Sequence, residues 1–141
     1  MPDELNVITR RLDELNERLA RLQPLQNKTR SDFDGDPYLR DIVERNLEVA
    51  AQACLDICHR LIALGKARKP VDYYEAFLIV GEMGILPGDF ALKLAPLAGF
   101  RNILVLEYLK VDWVLVYENL QRMDDLYRFR DDVTNWLKEH S

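Results

Sequence analysis

Leu5, Ile8, Leu12, Leu15, Leu19 and Leu22 step along the chain by threes and fours, with Arg10, Arg11, Asp13, Glu14, Glu17 and Arg18 between them. That spacing predicts an amphipathic helix with a narrow apolar seam, ended by Pro24. The seam is coiled-coil-like over about three heptads and needs a partner surface, either a second chain or the body of its own bundle. Residues 23–36 are polar and turn-rich and read as a connection. Asp36-Pro37 then offers a capping carboxylate followed by proline at the first helical position. From there Leu39, Ile42, Val43, Leu47, Ala50, Ala51, Cys54, Leu55, Cys58, Leu61 and Ile62 carry one helical stripe as far as Gly65, a natural stop.

A basic loop ends at Pro70, and Asp72-Tyr73-Tyr74-Glu75 has the form of a capping box opening a short helix through Met83, closed by Gly84. Pro87-Gly88-Asp89 begins another helical stretch, which Pro96 and Gly99 interrupt or re-aim. Helical character continues from Phe100 to about Leu109, and Asp112 caps a last helix with Val116, Leu120, Met123, Val133 and Leu137 as its apolar positions. No segment alternates with period two over a useful length, so the expected fold is an all-α antiparallel bundle with short loops. One domain is expected over residues 1–141, with a heptad helix in 1–22 and the bundle core in 36–138.

At 48% hydrophobic and 30% charged residues in a chain of 141, the composition is that of a globular protein rather than a disordered one. No apolar run approaches the roughly 20 residues of a spanning helix. Met1-Pro2-Asp3-Glu4 is the wrong start for a signal peptide, so a cytoplasmic protein without membrane attachment is expected. The net charge of −5 argues against a general polyanion binder but leaves room for a local basic cleft. Lys66, Arg68 and Lys69 form the clearest basic cluster and read as a solvated helix end. Cys54 and Cys58 share a helix at a spacing that could suit a metal, but His59 alone does not complete a ligand set, and two small buried side chains are expected.

No nucleophile triad, zinc helix, acidic metal loop or glycine-rich phosphate cradle is present in the sequence. His140, one residue from the end, is expected to be disordered. Attention falls instead on Gly99-Phe100-Arg101-Asn102-Ile103-Leu104-Val105-Leu106-Glu107-Tyr108, where an arginine and an asparagine enter an otherwise apolar helix. On a continuous helix Arg101 and Tyr108 share a face, while Asn102 and Leu106 share a second. Buried polar groups need partners. Arg101 either pairs with a carboxylate such as Glu44 or Asp56, or opens into a cleft or across a subunit boundary.

The segment resembles the motif Arg-Asn-x-x-Val-His-x-Tyr of the HEPN superfamily, specifically the HepT-like toxins paired with a minimal nucleotidyltransferase antitoxin. Arg101, Asn102, Val105 and Tyr108 match; Leu106 stands where the motif has histidine. The resemblance extends through Ala53-Cys54-Leu55-Asp56-Ile57-Cys58-His59, Tyr74-Glu75-Ala76-Phe77, Gly84-Ile85-Leu86-Pro87 and Ala98-Gly99-Phe100, spanning roughly residues 38–130. It implies a homodimer whose two motifs line one cleft and a metal-independent endoribonuclease acting on RNA. In that chemistry the 2′-hydroxyl attacks the adjacent phosphate, the histidine moves protons and the arginine stabilises phosphoryl charge. Carried onto this chain, Arg101 is the electrostatic residue, Asn102 orients the site, and Tyr108 is the acceptor of AMP from the antitoxin. ATP and magnesium belong to that partner's reaction, and the chain itself needs no metal or cofactor.

Leu106 cannot move protons. Either it replaces a parental histidine as an inactivating change, or the chain is a natural member that binds without cutting. His59 is expected to pack between helices rather than to compensate. The alternatives to a toxin subunit are a non-catalytic dimer that docks a nucleotidyltransferase, and a structural dimer assembled through the N-terminal heptads.

Overall fold

A computed structural model describes residues 3–140; Met1 and Pro2, read above as part of the chain start, and Ser141 lie outside them. Eight α-helices follow in order: α1 (Asp3–Gln26), α2 (Arg30–Asp34), α3 (Pro37–Leu64), α4 (Tyr73–Glu82), α5 (Gly88–Leu94), α6 (Leu97–Leu106), α7 (Trp113–Gln121) and α8 (Met123–His140). A single 3-10 turn, Tyr108–Lys110, stands between α6 and α7. No strand occurs among the described residues, as the missing period-two pattern predicted. None of their helices is long and apolar enough to cross a membrane.

α3 is the spine against which α1, α2, α4, α6 and α7 pack. Asp36 caps it, its Oδ1 accepting from the Tyr38 and Leu39 amides. The predicted stripe is buried from Val43 to Ile62, although Ile42 is left exposed. The partner of the N-terminal seam is this spine: Ile8, Leu12, Leu15, Leu19 and Leu22 are all buried within the chain's own core. A polar clamp fixes the same pairing. Asn46, 6% exposed on α3, donates to the Ile42 carbonyl at 2.8 Å and accepts from Arg18 of α1 at 3.1 Å. Both of its amide functions are thereby satisfied, as burial requires.

Several boundaries depart from expectation for local reasons. Pro24 sits inside α1 rather than ending it. Its missing N–H deprives only the carbonyl of Ala20, an exposed residue in the last turns, so water can replace the lost bond. Residues 23–36 are not all connection, because Thr29 and Asp32 form a capping box that starts α2 and buries Phe33. Phe33 lies 5.0 Å from the Trp113 ring and 6.1 Å from Tyr117, tying this short helix to α7. The anticipated last helix is two, broken at Arg122. His140 is ordered as the final residue of α8, its ring stacked on Trp136 at 4.2 Å.

The stop after α3 is also not made by glycine in a left-handed conformation. Gly65 keeps a right-handed φ of −83°, and Lys66 takes φ 53° instead. Hydrogen bonds from the Lys66 amide to the Ala63 carbonyl and from the Ala67 amide to the Ile62 carbonyl complete a Schellman closure. A Cβ at 65 would meet the Met83 methyl at 2.5 Å, so the flexible end of that side chain would have to shift. After α4 the same closure does use glycine, with Gly84 at φ 80°. In the basic cluster, Arg68 is tied to Glu82 and Glu75. Cys54 and Cys58 are free and fully buried, and burial pushes both thiols well up from their ordinary values.

Leu15 lies at the centre of the α1 seam with no exposed surface. Leu15→Ala is expected to cost about 2–5 kcal/mol in urea denaturation, with Pro24→Ala neutral or stabilising. A loss under about 1 kcal/mol for Leu15→Ala would mean that α1 is not packed as described.

Candidate functional site

Ala98, Phe100 and Leu104 turn into the core and fix the orientation of α6, leaving Arg101, Asn102 and Val105 half-buried on the side facing α3 and α1. Arg101 meets neither of the carboxylates considered for it. Its Nε–H donates to Gln52 Oε1 at 2.7 Å and Nη1 donates to Asn102 Oδ1 at 2.9 Å. The guanidinium carbon lies 5.3 Å from the centre of the Tyr73 ring, a cation–π distance. Asp56 is one step removed: the Gln52 amide donates to its Oδ1 at 2.9 Å, and its Oδ2 lies 3.5 Å from Arg11 Nε. Glu44 stays on α3, where burial, together with the negative charge of Asp41, pushes its carboxyl above the usual range.

A polar relay therefore runs from α6 through α3 to α1, and its first link is a neutral amide. The consequence is electrostatic. No carboxylate among the described residues neutralises Arg101, and Nη2 has no hydrogen-bond partner among them. A guanidinium held by amides and an aromatic face keeps its orientation while its charge stays available to an anion. Arg101 borders a groove of about 420 Å³ between α1, α3 and α6, lined also by Val105, by Arg45, Glu48, Gln52 and Asp56 of α3, and by Arg11 and Glu14 of α1.

The other two motif positions are placed differently. α6 ends at Leu106, where Glu107 takes φ −120° and ψ 34°, so Tyr108 belongs to the 3-10 turn and not to Arg101's helix face. Leu106 is 71% exposed and Tyr108 70% exposed. Leu106 stands roughly 140° around the helix from Arg101, by 100° per residue. Neither residue lines the groove, to which α6 contributes Arg101 and Val105. His59 packs as anticipated between elements: Nδ1–H donates to the Leu55 carbonyl at 3.0 Å and the ring meets Tyr73 edge-on at 5.3 Å.

Gln52 and Tyr73 are the participants that the sequence pattern did not single out. A signal for Gln52 was present: it and Asp56, four apart, are polar interruptions of the otherwise apolar Ala50-Ala51-Gln52-Ala53-Cys54-Leu55-Asp56. Tyr73 carried none, because its position in a capping box accounts for it locally.

Comparison with known proteins bears on this geometry. The sequence pattern of the family described as Ribonuclease HepT-like matches residues 8–133. The chain is 32% identical over 106 residues to the tRNA nuclease HepT of Aphanizomenon flos-aquae, covering 75% of this chain and 72% of that protein. It is 25% identical over 104 residues to the mRNA nuclease HepT of Shewanella oneidensis, covering 73% and 78%. Among solved structures, the tri-AMPylated HEPN toxin of Shewanella oneidensis in complex with MNT antitoxin superposes with a TM-score of 0.80 at 22% identity, covering 92% of this chain and 97% of that one. YutE of Bacillus subtilis superposes at 0.77 with 19% identity, covering 94% and 90%. The all-helical fold is thus that of the HEPN toxins.

A double-mutant cycle tests the central contact. Gln52→Ala and Arg101→Ala are expected to show a coupling of about 1–2 kcal/mol in denaturation, the range of a hydrogen bond to a charged group discounted for partial exposure. Strict additivity would mean that the two side chains do not meet.

Proposed function

This chain belongs to the ribonuclease HepT-like family, and we propose that it is the toxin subunit of a toxin–antitoxin pair, a metal-independent endoribonuclease by descent that acts in the cytoplasm. The observation that carries this reading is Arg101, a guanidinium aimed into a groove with neutral partners only, at the arginine position of the family motif. Relatives named as a tRNA nuclease and an mRNA nuclease support RNA as the substrate. Arg101 stabilises the charge on the phosphoryl oxygens while the 2′-hydroxyl attacks phosphorus and the 5′-oxygen departs. Asn102 holds the guanidinium through its Oδ1.

Two protons must move in that step, one from the 2′-hydroxyl and one to the departing 5′-oxygen. Leu106 supplies neither transfer. Loss of such a group costs on the order of 10²–10⁴ in rate, so this chain's own cleavage is crippled. A homodimer brings a second motif to the same cleft, and the exposed Leu106 and Leu109 are apolar surface that such an assembly covers. The partner is a minimal nucleotidyltransferase antitoxin, a reading supported by the antitoxin complex among the structural neighbours. Tyr108 is its AMP acceptor: exposed on a short turn, it can enter another protein's active site. A bulky anionic adduct there repels RNA by charge and size. ATP and magnesium are used by the partner, and this chain binds no cofactor.

The same Leu106 favours a second reading, a non-catalytic dimer whose role is to dock the nucleotidyltransferase.

Leu106→His separates the two. Expressed without a partner, it is expected to slow growth and, once purified, to cleave RNA at least about 10²-fold faster than the unchanged chain. A restored protein that stays harmless and inert toward RNA would leave the docking reading. Incubation with ATP and the nucleotidyltransferase is expected to add AMP at Tyr108, with Tyr108→Phe unmodified by mass spectrometry; an adduct elsewhere would remove Tyr108 from its role.

A further inference from the structure

Arg101 shares its groove with two other guanidiniums, Arg11 from α1 and Arg45 from α3. Three helices thus each contribute one arginine to one hollow. Unlike Arg101, the other two are held by carboxylates. Arg45 Nη1 lies 3.1 Å from Glu48 Oε2, one turn along the same helix, and Arg11 Nε lies 3.5 Å from Asp56 Oδ2. The side chain of Arg45 is 64% exposed and that of Arg11 47%. Solvent-exposed pairs of this kind are worth about 0–1 kcal/mol, little enough to be exchanged for a better anion. A phosphodiester is such an anion, because its two free oxygens match the planar fork of a guanidinium.

Three acidic side chains, Glu14, Glu48 and Asp56, share the groove with the three arginines and are paired with basic residues in the free protein. Glu14 is engaged by Arg18 at 3.3 Å, and Glu48 and Asp56 balance Arg45 and Arg11 in the free protein. An entering strand would have to draw the two arginines away from Glu48 and Asp56. The rotatable backbone of single-stranded RNA can fit its phosphates to three separate guanidiniums. A rigid protein surface would need carboxylates already placed to match them.

We propose that the groove between α1, α3 and α6 is a track for the phosphates of single-stranded RNA. Arg101 holds one phosphate, and Arg45 and Arg11 take its neighbours by exchanging Glu48 and Asp56 for them. The proposal rests on the ribonuclease reading of α6 and extends the substrate site to α1 and α3, outside the family motif.

Anisotropy of a labelled 2′-O-methyl single-stranded RNA, which binds without being cleaved, tests it on the full chain across a salt series. Arg45→Gln and Arg11→Gln are each expected to weaken binding several-fold and to lower the slope of log affinity against log salt by about 0.7, the value for one contact to a single strand. Glu48→Gln is expected to tighten binding several-fold, a gain that misfolding cannot imitate. If Glu48→Gln and Arg45→Gln leave affinity and slope unchanged while Arg101→Ala abolishes binding, the track is wrong and the ribonuclease reading stands. If the unchanged chain shows no salt-dependent binding to the RNA, both fall. If the arginine variants keep RNA binding and lose the nucleotidyltransferase, the groove is a protein-docking face and the track is overturned.

Discussion

The seam of α1 lies on α3, and that contact determines what the rest of the chain can do. Each buried aliphatic side chain contributes about 1.5–3 kcal/mol, and five from α1 enter the core on that one face. Their burial commits α3 to be enclosed on several sides and leaves only narrow openings along its length. The groove at Arg101 is one of these. It exists because α1 and α6 approach α3 at neighbouring stretches without closing over Gln52 and Asp56. A heptad helix that could have joined two chains is used to build a wall of a site within one.

Much of this was legible in the sequence because it is written in strong local signals. The seam, the Asp36, Asp72 and Asp112 caps and the long stripe of α3 each follow from periodicity or from a capping carboxylate next to a helix start. The misreadings share a cause, which is that tertiary packing or exposure overrode a local rule. Pro24 was tolerated where its lost bond faces water, and the left-handed position after α3 fell on Lys66 rather than on Gly65. The site was half legible. Arg101 and Asn102 stood out as polar residues in an apolar helix, but Arg101's partners came from residues 49 and 28 positions away in sequence. No pattern within α6 encodes them.

The choice of partner matters more than its distance. Had Arg101 met Asp56 directly, a half-buried ion pair would have consumed its charge, and an incoming phosphate would have competed with a carboxylate already in place. Gln52 intervenes and divides the task, orienting the guanidinium with its oxygen and engaging Asp56 with its nitrogen. Tyr73 covers one face of the guanidinium, and His59 is packed against that ring. Orientation and charge are thereby separated, which is what an electrostatic role toward a substrate requires.

Leu106 belongs to a different part of the design. It lies past the end of the packed stretch of α6, 71% exposed, where the helix gives way to the turn that carries Tyr108. No core contact depends on which side chain stands there. A change at this position therefore leaves Gln52, Asn102 and the guanidinium between them undisturbed. Arg101 is held by contacts that reach into the packed bundle, whereas position 106 stands on the surface. Folding stability therefore constrains the setting of Arg101 and leaves position 106 free to vary.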